Sequence, residues 1–80
     1  MKKSELNELK AMQEKCDEYA DEAWEMVEAA YELAPKIYDK QILYNAAYEL
    51  QKARERLRNA RDCIIDAILT ERQDYFEDDL

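Results

Sequence analysis

Small and apolar residues in the first half of the chain step 4-3-4-3-4 through Cys16, Ala20, Ala23, Val27, Ala30 and Ala34. That spacing marks one face of a helix packing at coiled-coil register. Met12, Tyr19, Met26 and Leu33 recur every seven residues and widen the same face. Ser4 reads as an N-cap, with Glu5 and Glu8 in the first turn, where the helix dipole favours carboxylates. Pro35 disfavours helical geometry at the residue before it, which predicts a first helix over 4–34.

Asp39 is the next plausible N-cap, with Pro35 as an alternative first helical position. Beyond it, Leu43, Leu50, Leu57 and Ile64 form one heptad row, and Ala46, Ala53, Ala60 and Ala67 form a second, offset by three. Large residues at one seam position and alanine at the other predict an antiparallel pair of closely approaching helices. The expected fold is all-α: a single helical domain made of a hairpin of two long helices. Helix one spans about 4–34, a turn 35–38, helix two about 39–76, and an acidic tail 77–80. A break near Asn59 to Asp62 would give a three-helix bundle instead. Folding the chain about residues 35–38 places Lys52, Arg54, Arg56, Arg58 and Arg61 beside Glu14, Asp17, Glu18, Asp21 and Glu22. Two helices meeting through an interface half made of alanine bury little apolar surface for a chain of 80 residues. The hairpin is therefore expected to dimerise into a four-helix bundle, to fold a third helix, or to dock on a partner.

Composition sharpens this picture. Gly is absent, Pro occurs once and His is absent. Glycine-rich phosphate loops, the nucleophile elbow and the Glu-x-x-His pairs of bundle di-iron sites have no residues to build them. Without His there is no ordinary neutral-pH base and no zinc imidazole. Cys16 and Cys63 are too few and too far apart for a disulfide framework or a zinc site. No catalytic residue, cofactor or metal is implied, and the chain is expected to bind rather than catalyse. No apolar run approaches the roughly 20 residues that span a bilayer. Met1-Lys2-Lys3 leads straight into polar residues, so a cytoplasmic protein is expected, in host cytoplasm if the chain is phage-encoded.

The net charge of −8 favours basic partners and disfavours direct contact with nucleic acid or anionic membranes. Glu14, Glu18, Asp21, Glu25, Glu28 and Glu32 step 4-3-4-3-4 along helix one, almost opposite its apolar seam, with a carboxylate about every 5 Å. Such a row is either a solubilising face or a mimic of a nucleic-acid backbone that fits the Lys/Arg groove of a nucleic-acid-handling protein. In size and charge the chain resembles phage-encoded inhibitors of host defence, the anti-CRISPR proteins among them. That resemblance implies a small inhibitor or modulator.

Two further surfaces compete. The basic run from Lys52 to Arg61 resembles in outline the small plasmid-encoded RNA-binding hairpins that dimerise into four-helix bundles. That likeness implies a homodimer touching RNA through this face, although Glu49, Glu55 and Asp62 interrupt the run. Trp24, Tyr31 and Tyr38, seven residues apart, together with Tyr44 and Tyr48, place aromatics toward the hairpin tip. They would serve as packing between helices or as a partner-binding patch. An adaptor holding a helical partner in the apolar seam is the remaining reading.

Overall fold

A computed structural model describes the backbone of residues 2–79 and the side chains of residues 2–71. Helix α1 runs Lys3–Leu33, a short 3-10 turn Ala34–Lys36 follows, and helix α2 runs Lys40–Asp79. The two long helices pack antiparallel as a hairpin, and no strand forms among the described residues. α2 passes through Asn59 to Asp62 without interruption, so the three-helix alternative is excluded. It also continues past Phe76 to Asp79, into the segment expected as an acidic tail. The side chains of Glu77, Asp78 and Asp79, and Leu80 altogether, lie outside the described residues.

The turn forms without glycine. Pro35 sits in the first turn of the 3-10 segment, where its missing N–H costs nothing. Ile37 then swings to an extended conformation, φ −102° and ψ 162°, and its N–H donates to the carbonyl of Ala34 at 3.4 Å. No described residue adopts positive φ. Asp39 caps α2 as its position suggests, its carboxylate accepting from the Gln41 N–H at 3.2 Å. Ser4 does not cap α1: the helix already begins at Lys3, Lys2 occupies the cap position, and no side chain caps it.

The seam on α1 is the expected one. Ala20, Ala23, Val27, Ala30 and Ala34 are buried, Val27 completely, while Cys16 is half-buried above them. On α2 the row of Leu43, Leu50, Leu57 and Ile64 also faces the partner helix, half-buried throughout. The alanine row does not. Ala46, Ala53, Ala60 and Ala67 are all exposed, and the second seam row is the next residue along: Ala47, Arg54, Arg61 and Ile68. Together the rows run 43, 47, 50, 54, 57, 61, 64, 68, an unbroken 4-3 alternation centred on the contact. Ala47 and Ile68 are buried, whereas the two arginines are half-buried with their heads reaching out of the seam.

The buried set among the described residues is five alanines, Val27 and Ile68. Val27, Ala30 and Ala47 form its centre, with Leu50 packed against them. At such a close approach added volume cannot be absorbed. Ala47→Leu is expected to lower stability by about 1–3 kcal/mol in urea unfolding, while Glu28→Leu on the outer face leaves the midpoint nearly unchanged. Equal tolerance at the two positions would contradict this seam.

Candidate interaction surfaces

An antiparallel seam has two flanks, and the contacts fix which rows share each. Tyr31 and Tyr44 pack with ring centroids 6.0 Å apart, and Gln51 donates to the Tyr31 hydroxyl at 3.0 Å. Arg54 lies 4.8 Å over the Trp24 ring, and Arg61 donates to Asp17 at 2.9 Å. These pairs lie about one turn further along α2 than a fold centred on residues 35–38 would place them.

The first flank is thus lined by Asp17, Trp24 and Tyr31 from α1 and by Tyr44, Gln51 and Arg58 from α2. Its middle is an open cleft of about 540 Å³ bordered by Trp24, Tyr48, Gln51, Lys52, Arg54, Glu55 and Arg58. Lys52 sits 4.3 Å over the Tyr48 ring and 3.9 Å from Glu49 on its own helix. The aromatics reach from the tip, where Tyr31 and Tyr44 pack together, down this flank to Trp24. Trp24, Tyr31, Tyr44 and Tyr48 string out along this flank, each engaged with a neighbour in the chain. Tyr38, at 107% exposure, touches nothing that would cover it.

The basic run is dispersed by the helix. Arg54 and Arg61 turn into the seam, Lys52 folds back over Tyr48, and Arg56 points to the other flank, since residues two apart on a helix diverge by about 200°. Of the expected block pairing with α1, one ion pair forms among the described residues, Arg61 with Asp17. Its hydrogen bonds to Asp17 and then to Asp62 hold the Arg61 guanidinium more firmly protonated than usual. The Nε of Arg54 is buried without a hydrogen-bond partner, and its charge rests on the Trp24 face.

The acidic row is undisturbed by any of this. Glu14, Glu18, Asp21, Glu25, Glu28 and Glu32 are all exposed; their spacing sets them nearly opposite the seam of α1, with Glu14 bordering a cleft that Ile65, Ile68 and Leu69 of α2 also line. Lys15, 3.3 Å from Glu18, is the one cation paired with the row among the described residues, and that contact raises the lysine's proton affinity. α1 carries ten acidic and three basic side chains, α2 nine and seven, so the excess charge sits on this helix.

The second flank is different in kind. Met12, Tyr19, Met26 and Leu33 precede the Ala20 seam row by one residue, and Ala46, Ala53, Ala60 and Ala67 precede the Ala47 row by one. In an antiparallel pair those positions fall on the same side. In the register of the contacts above, Met12 lies level with Ala67, Tyr19 with Ala60, Met26 with Ala53 and Leu33 with Ala46. The four large residues are about half exposed, at 51%, 50%, 53% and 50%.

Neither cysteine is bonded: Cys16 is half-buried and Cys63 exposed. Among the described residues no three potential ligand side chains converge on a metal position, and no helix is long and apolar enough to cross a membrane. No protein-family model, no curated protein and no solved structure matches the chain.

The Arg61–Asp17 pair is partly exposed, with side chains 30% and 48% accessible. A double-mutant cycle with Arg61→Ala and Asp17→Ala is expected to return a coupling of about 0.2–1 kcal/mol. A coupling of several kcal/mol would mean that the seam depends on this ion pair rather than on its small residues.

Proposed function

We propose that the chain is a non-enzymatic binding module, an acidic inhibitor or modulator whose α1 outer face engages a basic surface on a nucleic-acid-handling protein. The observation that carries this reading is the row from Glu14 to Glu32, exposed along its whole length on one helix face and paired among the described residues with Lys15 alone. Lys52, Arg54 and Arg61 of α2 are engaged elsewhere, on Tyr48 and Glu49, on Trp24 and on Asp17. A rigid helix spaces carboxylates at about 5 Å, close enough to the repeat of a phosphate backbone for a Lys/Arg groove to exchange its counterions for them. The phage-type, anti-CRISPR-like inhibitor is the form of this proposal that the size and charge suggest, acting in host cytoplasm. The dispersal of Lys52, Arg54, Arg56, Arg58 and Arg61 over several faces makes the RNA-binding alternative the weaker one. The proposed working unit is a homodimer, a four-helix bundle that keeps the acidic face outward.

A tagged pull-down from the native host, compared at low and high salt, tests the reading. The expected partner is a basic nucleic-acid-handling protein, released at high salt because screening there shortens the reach of the carboxylates below ~8 Å. Reversing Glu18, Asp21, Glu25 and Glu28 to Lys is expected to abolish capture with helix content intact by circular dichroism. A folded quadruple variant that still captures the partner would show that the row only keeps the chain in solution.

A further inference from the structure

We infer that the flank carrying Met12, Tyr19, Met26 and Leu33 is the contact between two copies of this chain, each copy setting that row on the alanine row of the other. The inference rests on the homodimer proposed above and assigns it a face and a geometry.

Three observations point to a second copy. The first is composition: 40% of the chain is charged, yet none of the eight positions on this flank is. The opposite flank carries Asp17 and Arg58 in its corresponding rows, and the outer face of α1 is charged along its length. The strip runs about 31 Å from Met12 to Leu33 at ~1.5 Å per residue, which makes it a continuous apolar band rather than scattered exposed side chains.

The second is area. The chain exposes 6377 Å², whereas a compact monomer of 9.6 kDa exposes about 5100 Å². The surplus of roughly 1300 Å² exceeds the ~800 Å² each partner gives up in a standard-size interface. The long narrow shape, 65 × 15 × 12 Å, leaves that surplus on the flanks of the hairpin rather than at its ends.

The third is self-complementarity, which selects this chain over an unrelated partner. A two-fold axis parallel to the helices lays α1 of one copy against α2 of the other, antiparallel and in the register already seen within the hairpin. Each of the four levels then holds two large side chains and two alanines, with every large residue facing an alanine across the dimer. One row's bulk fills the other's deficit, as an isologous interface requires. The outer rim agrees. Glu22 and Arg56, both exposed, lie at one level, so the axis brings each toward the other's opposite charge. The other rim levels, Lys15 with Cys63 and Ala29 with Glu49, oppose no like charges. The acidic row of each copy stays on the outside of the resulting bundle.

Sedimentation equilibrium at micromolar concentration and a cross-link decide the matter together. The wild-type chain is expected at twice its chain mass. Tyr19→Glu with Met26→Glu is expected to give a folded monomer, while Leu69→Glu, at an exposed position outside the strip, leaves the dimer intact. In a background of Cys16→Ala and Cys63→Ala, mixing a copy carrying Met26→Cys with one carrying Ala53→Cys is expected to yield a disulfide-linked dimer on mild oxidation. A wild-type dimer that survives the two glutamates and gives no cross-link would overturn the face assignment while leaving dimerisation standing. A wild-type monomer would overturn both.

Discussion

Everything in this hairpin follows from how little volume lies between its helices. The contact is made by alanine on α1 and, at its centre, by Ala47 on α2, with Val27 the largest side chain buried completely. Small residues let the backbones approach, and the approach is what buries them. The same choice limits how much apolar surface two helices can remove from water, and hydrophobic stabilisation scales with that area. A chain that packs this way is thinly stabilised along a long contact, and what covers its flanks then matters as much as its seam.

That constraint also explains the arginines. A seam this narrow cannot hold a large side chain inside it at every second position, so Arg54 and Arg61 lay their stems along the contact and carry their charges to the edge. There Arg54 finds the face of Trp24 and Arg61 finds Asp17. These contacts draw Arg54 and Arg61 away from the outer face of α1, whose carboxylates meet only Lys15 among the described residues. The eight row positions of the other flank carry no charge, and Glu22 and Arg56 stand at its rim. The hairpin therefore has three surfaces of distinct chemistry: an anionic outer face, a mixed aromatic and cationic flank, and an apolar flank. The proposed function and the proposed dimer use different ones, so neither obstructs the other.

Much of the fold was legible in the pattern of apolar positions. The 4-3 alternation from Cys16 to Ala34, the Leu43 to Ile64 heptad, the stop at Pro35 and the cap at Asp39 each have a local physical cause that needs no tertiary information. The second row on α2 was not legible in the same way. Hydropathy favours Ala46, Ala53, Ala60 and Ala67 over a row half made of arginine, and spacing does not decide between them, because both rows alternate by three and four with the leucine heptad. Only the contacts with Trp24 and Asp17 show why arginine is acceptable there. The start of α1 was not legible from its cap residue: the helix begins at Lys3, two residues before a Ser4 cap would place it, in an exposed first turn. On the surface, the acidic row could be read directly from its spacing. The aromatics could not, because Trp24, Tyr31, Tyr44 and Tyr48 are distributed by partners that lie across the seam.

If a thin seam makes the hairpin depend on a second copy, unfolding must obey mass action. The most direct measurement is the thermal midpoint as a function of chain concentration over several decades, followed by circular dichroism at 222 nm, the α-helical band. The expected result is a midpoint that rises steadily with concentration, with folded signal and dimer lost together on dilution. A midpoint independent of concentration, in a chain that stays fully helical when dilute, would contradict the account by showing that the two-helix seam suffices alone.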